Sequence, residues 1–222
     1  MIVIDFVGFP GTGKSTIMKN IDDEDIVKWV DIPAVDKFDL LRHILGSWFF
    51  WRNLFLILRV SYICGFHGKR RIRSKRKNLE VILHFIYNAE RYSDSYKVYL
   101  VEKGPVSVLP VRSGVRGYKV VERFLDRLVK RYPHAILYFY SDAPSIVRNM
   151  RRRKTEVDKG MLESPVLERR ISRGKRVMQR NIEWIDEKLL HTKYIKVDDR
   201  DLEGNLKLVR SEIKKVREKA GV

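Results

Sequence analysis

Eight residues near the amino end, Gly8-Phe9-Pro10-Gly11-Thr12-Gly13-Lys14-Ser15, fit the spacing G-x-x-x-x-G-K-[ST]. The residue types say what such a stretch can do. Glycines let successive backbone N–H groups turn inward around a polyphosphate, and a helix starting at Lys14 adds its partial positive charge at the same spot. Lys14 would reach the β- and γ-phosphates, and the Ser15 hydroxyl would join the coordination of Mg²⁺. Gly8, Gly11, Thr12, Gly13 and Thr16 complete the expected cradle for a nucleoside triphosphate. The bland alternative is a glycine-rich turn that binds nothing, but here every motif position is filled and the flanks are correct.

Those flanks are the elements that must position the loop. Ile2 to Val7 is a short apolar run with β-branched residues, read as a buried strand, and Lys14 to Asn20 reads as the first turns of a helix. Further charged residues fall where other strands end. Ile26 to Val30 reads as a second strand closed by Asp31-Ile32-Pro33, and Pro33 would stop it. Asp31 is therefore a candidate in the crevice at the carboxyl edge of the sheet, or else an ordinary turn residue. Lys97 to Val101 reads as a third strand, closing in Glu102-Lys103-Gly104-Pro105. Glu102 stands where a P-loop protein can hold Mg²⁺ through water or orient the attacking oxygen.

Val106 to Gly117, with Pro110, Gly114 and Gly117, reads as a loop beside that site. A helix runs from Val120 until Pro133, then a strand from Ala135 to Tyr140. Asp142 with Pro144 starts a further helix by capping logic. It carries Arg148 and Arg152, four apart and so on one face. They read either as a solvated basic face or as lid arginines, residues 148–165 forming a polar lid that closes over the transferred phosphate. A long amphipathic helix from Leu167 to Leu189, a strand at Tyr194 to Val197 and a closing helix from Leu202 to Val216 complete the chain.

Residues 39–95 read as a helical insertion on the acceptor side. The segment from Asp39 to Phe66 is strongly apolar, yet Arg52, Asn53 and Arg59 interrupt it well short of the ~18 apolar residues a spanning helix needs. Arg52 and Arg59 are seven apart, so an amphipathic helix over Trp48 to Phe66 is expected. The run Lys69-Arg70-Arg71-Ile72-Arg73-Ser74-Lys75-Arg76-Lys77 reads as a solvated turn, a membrane-docking element or a nucleic-acid contact. A second amphipathic helix is expected from about Arg76 to Ser95.

With 222 residues and strands alternating with helices, the sequence predicts a single α/β domain: about five parallel strands covered by helices on both faces. Lys and Arg outnumber Asp and Glu by 46 to 28, a net charge of +18 that favours polyanionic partners. The one cysteine, Cys64, excludes an intrachain disulfide and a Cys-based metal site. A cytoplasmic setting is expected, because the first strand starting at residue 2 leaves no room for an export signal before the fold. Peripheral association with a membrane surface and a homodimer are both compatible with the sequence.

The P-loop and the order of the elements resemble the thymidylate kinases and related nucleoside monophosphate kinases over nearly the whole chain. Asp31-Ile32-Pro33 looks like the family's carboxylate and proline after the second strand. Phe85-Ile86-Tyr87-Asn88-Ala89-Glu90-Arg91 is similar to its Phe-Ala-Ala-Asp-Arg type segment, which implies that Arg91 grips the acceptor's phosphate. Glu102-Lys103 stands where the family usually has Asp-Arg; Lys103 keeps the charge but loses the bidentate fork, so an acceptor there would be held differently from thymidylate. Arg148 and Arg152 look like the family's lid arginines.

The resemblance implies an ATP- and Mg²⁺-dependent phosphotransferase acting on a small phosphorylated acceptor such as a (deoxy)nucleoside monophosphate. Two alternatives stay open: the same kinase fold acting on a sugar, lipid-linked or nucleic-acid-end acceptor, and a P-loop ATPase or nucleotide-dependent binding module with no acceptor.

Overall fold

Strand β1, Ile2–Gly8, is buried at every residue. That accords with its composition: an apolar strand in the middle of a parallel sheet is covered on both faces and has no solvent side. A computed structural model of the chain describes residues 1–8, 11–29, 36–63, 71–91, 97–102, 104–152, 165–198 and 200–221. Within its helices the side chains of 37, 71–78, 106–118, 151, 152, 165–167, 170 and 181 fall outside the description.

The other strands are β2 (Ile26–Lys28), β3 (Val98–Glu102), β4 (His134–Tyr140) and β5 (His191–Lys196). All pair parallel, in the order β2-β3-β1-β4-β5. The register sets Ile4 beside Leu100 on one side and Ala135 on the other, and Phe6 beside Glu102.

Alternation along β1 sorts the core into two layers. Ile2, Ile4 and Phe6 face helix α1 (Lys14–Lys19) and the last helix, α8 (Leu202–Ala220), through Ile17, Met18, Val209 and Ile213. Val3 and Val7 face the opposite layer of α3 (Trp48–Ile63), α4 (Arg71–Arg91), α5 (Pro105–Arg131) and α7 (Pro165–Ile185). Helices α2 (Lys37–Gly46) and α6 (Ala143–Arg152) complete the set. The chain leaves β1 toward β2 on one face and β3 toward β4 on the other, which makes the carboxyl ends of β1 and β3 a topological switch point, where open α/β sheets bind ligands.

Two expectations are corrected. Val106 to Gly117 is not a loop but the first half of α5, a 27-residue helix. Gly104 stays extended just ahead of it, Pro105 presets the first helical φ, and buried Val121, Phe124, Leu125 and Leu128 anchor its later turns. The helix expected from about Arg76 is already present at Arg71, so most of the basic run is helical rather than a turn, and residues 92–95 of the expected helix lie outside the described residues. Lys and Arg are good helix formers. The apolar segment after Asp39 is two helices, broken at Ser47, whose hydroxyl accepts from Phe50 N and donates to Glu90.

Candidate functional site

The loop after β1 is held from two sides. A Cβ on Gly8 would stand 2.5 Å from the Phe139 carbonyl oxygen on β4, so only glycine lets the strand pass this close. Gly11 and Gly13 have φ of +88° and +87°, the left-handed region where a side chain is strained. Asn149 of α6 donates from Nδ2 to the Gly11 carbonyl oxygen at 3.1 Å, tying that helix to the loop. Gly13 then opens α1 without a side-chain cap.

At the start of α1 three polar side chains meet. Lys14 is buried, with Nζ 3.3 Å from Glu102 Oε1. The Ser15 hydroxyl lies 3.2 and 3.3 Å from the two Glu102 carboxylate oxygens. Glu102 is the last residue of β3, so its carboxylate leaves the sheet at the switch point. The structure thus brings to the adjacent Lys14 ammonium and Ser15 hydroxyl a carboxylate 87 residues beyond Ser15 in the sequence.

These groups fit a magnesium–triphosphate. Mg²⁺ takes hard oxygen ligands, usually one or two from protein alongside phosphates and water, and Ser15 and Glu102 offer that set. Among the described residues no group of three or more His, Cys, Asp or Glu could hold a metal by itself. Beside the loop opens a pocket of about 310 Å³, lined by Thr12, Thr16, Ser141, Asn149, Asp198 and Asn205 among others. Asp198 N donates to Asn205 Oδ1 at 3.2 Å and Asn205 Nδ2 to the Asp198 carbonyl at 2.5 Å, which fixes the pocket's far wall.

Arg148 is exposed on α6 and donates from Nη2 to Ser145 Oγ at 3.0 Å. Asp142 caps that helix by accepting from Ser145 N at 2.6 Å, and this bond holds its carboxyl below the ordinary range. Arg152 lies one turn on in the same helix, its side chain outside the description. Asp31, Lys103 and lid residues 153–164 lie outside the described residues.

Arg91 is not brought to the loop. It ends α4, donates to Tyr87 Oη and lines an open hollow with Asp39, Arg42 and His43. Its neighbour Glu90 meets the hydroxyl of Tyr132, two residues ahead of β4 and so at the amino edge of the sheet. A strand of five to seven residues at ~3.3 Å each separates that edge from the P-loop. The resemblance matched residue types, but the helix carrying Arg91 runs to the wrong end.

Two site residues escaped the sequence reading. Asn149 is one polar residue among arginines and gives no signal of its contact with the loop. Asp5 is fully buried in β1 and accepts from Gly104 N at 3.3 Å, setting a carboxylate at the start of α5, where the helix dipole favours it. A lone acid inside an apolar strand was the available signal.

Five parallel strands in this order, with a G-x-x-x-x-G-K-S loop between β1 and α1, define the P-loop class of α/β fold. No protein-family model matches the chain, and no curated protein sequence does. Among solved structures it is similar to the shikimate kinase from Acinetobacter baumannii in complex with shikimate, at 13% identity and a TM-score of 0.47, over 97% of this chain and 94% of that one. It is also similar to the deoxyadenosine kinase from M. mycoides with bound dATP, at 11% identity and a TM-score of 0.46, over 96% and 100%.

Proposed function

We propose that the protein is an ATP- and Mg²⁺-dependent phosphotransferase that moves the γ-phosphoryl group to a small acceptor. The observation that carries this reading is the meeting of Lys14, Ser15 and Glu102 at the end of a glycine loop with two left-handed residues. Phosphoryl transfer asks for alignment and charge neutralisation more than for covalent chemistry, and this cluster supplies both.

Glu102 pairs with the Lys14 ammonium at 3.3 Å and so holds it at the loop, where phosphate oxygens would take over the carboxylate's place. The loop amides then hold the tail, and the pocket between Thr16 and Asn205 takes the base. Glu102 would hold a bound metal through water or accept a hydrogen bond from the acceptor hydroxyl. Arg148 lies on the helix that Asn149 ties to the loop, and its proposed role is to neutralise charge on the transferred group. Ser15 and Glu102 would hold Mg²⁺, which would supply neutralisation of the phosphate charge.

The proposed acceptor is a (deoxy)nucleoside monophosphate, on the resemblance to the thymidylate kinases. A second reading keeps the donor half and takes an acceptor hydroxyl on a sugar, and the far position of Arg91 favours it, since the resemblance gave that residue the grip on the acceptor's phosphate. Incubation with γ-labelled ATP against panels of mononucleotides, deoxymononucleotides and sugars decides between them. Label in a nucleoside diphosphate supports the first reading and label in a sugar phosphate the second; label appearing only as inorganic phosphate refutes both.

A further inference from the structure

Helices α2 and α3 turn a row of large apolar side chains to solvent. On α3, Trp48, Trp51, Phe55, Leu58 and Tyr62 recur at steps of three and four, a single stripe along the helix. Each is half or more exposed, Trp48 and Phe55 by 77% and 78%, while Phe49, Ile57 and Val60 fill the buried side. On α2, Phe38, Leu41 and Leu45 are exposed too, and the Trp51 indole donates to the Leu45 carbonyl oxygen at 2.6 Å, so the two rows meet. Exposed apolar residues scattered singly need no explanation; a contiguous set of this size marks an interaction surface.

Along α3 the charge has one sign, while α2 brings exposed Asp36 and Asp39 beside Phe38 and exposed Arg42 beside Leu41. Arg52 and Arg59 flank the stripe, both exposed, and α3 contains no Asp or Glu. At its Trp48 end a cleft of about 460 Å³ opens toward the last turns of α5, lined by Arg52, Arg127, Lys130 and Arg131. Asn53, buried on α3, accepts from Arg127 Nη1 at 2.8 Å and so fixes that guanidinium on the cleft wall. The acid in the lining, Glu90, accepts from Ser47 and lies 3.4 Å from His43 Nε2.

We propose that this face docks on an anionic lipid bilayer, with the aromatic stripe lying in the interface and the cationic cleft receiving a headgroup phosphate. Trp and Tyr with flanking Arg are the residues that settle at a membrane–water boundary, apolar body inward and polar tip outward. A stripe on one side of the helix suits a helix lying in the interface plane, and among the described residues no helix is long and apolar enough to cross. A formal net charge of +18 adds attraction to acidic headgroups. A second copy fits less well, because it would bring the same excess of arginine to the same face. The proposal is independent of the phosphotransfer reading.

Flotation of the full-length protein with vesicles of phosphatidylcholine alone, or mixed equally with phosphatidylserine, tests it. Binding to the mixed vesicles at low salt is expected, with a blue shift of tryptophan emission. Arg52→Gln with Arg59→Gln should lower the partition coefficient by about 25-fold, and Trp51→Ser with Phe55→Ser by at least about tenfold. Both pairs change exposed positions, and unchanged circular dichroism confirms their fold. The proposal is overturned if mixed vesicles bind no better than neutral ones, if both variants bind like the parent, or if the stripe instead drives a dimer in sedimentation with no vesicle binding.

Discussion

Under the proposed function Glu102 is the residue on which the site's chemistry turns, because it faces both the lysine and the hydroxyl of the phosphate loop. Glu102→Gln keeps the shape and removes the charge. Turnover should fall by about 10²-fold or more with the unfolding midpoint little moved, since the carboxylate is part-exposed and its pairing stabilises the fold only modestly. An unchanged rate would remove Glu102 from the mechanism. Lys14, Ser15 and Glu102 were legible in the sequence because a contiguous motif fixes the first two and the end of an apolar strand exposes the third. Asn149 and Asp5 were not, because their partners at Gly11 and Gly104 are set by tertiary packing. Arg91 misled for the converse reason: its local pattern matched, while the direction of its helix is set by how α4 packs on the sheet.

At the scale of elements, the start of α5 depends on the space above Asp5. The backbone of Gly104 (φ −64°, ψ 169°) suits any residue, so its glycine is required by contact rather than by conformation. A Cβ there would stand 2.7 Å from Asp5 Oδ2, whose carboxylate is fully buried. Gly104→Ala should therefore cost about 1–3 kcal/mol in urea unfolding, and an unchanged midpoint would show that Asp5 can move aside. The strands were legible to within a few residues because their apolar runs are short and bounded. The loop expected at Val106 to Gly117 was not, since Pro110, Gly114 and Gly117 punctuate a helix that its buried second half holds together. Likewise the basic run at the start of α4 has no apolar period to announce a helix, although Lys and Arg are good helix formers.

For the whole molecule, the sheet order accords with strands alternating with helices, but the distribution of titratable groups over the two edges needed the fold. His134, first in β4, is stacked on Phe85 with its Nε2 buried and unpartnered, and burial lowers its pKa to about 4. A histidine depressed from 6.5 takes up its proton in the unfolded chain first, so stability is full above pH 6.5 and is lost as pH falls toward 4. By about pH 5 this one group should cost roughly 2 kcal/mol. Urea midpoints at neutral and mildly acid pH check it: His134→Asn, whatever it costs at neutral pH, should flatten that part of the slope. An identical slope in the variant would assign the acid sensitivity to other groups.

The most direct test of the account is equilibrium binding of a non-hydrolysable ATP analogue to the protein and to Lys14→Ala, with Mg²⁺ and with chelator. The arrangement of loop, lysine and carboxylate predicts one saturable site, weakened by about 10²-fold when Lys14 is removed and weakened again when Mg²⁺ is withdrawn. No binding to the parent protein, or equal binding to parent and variant, would contradict it.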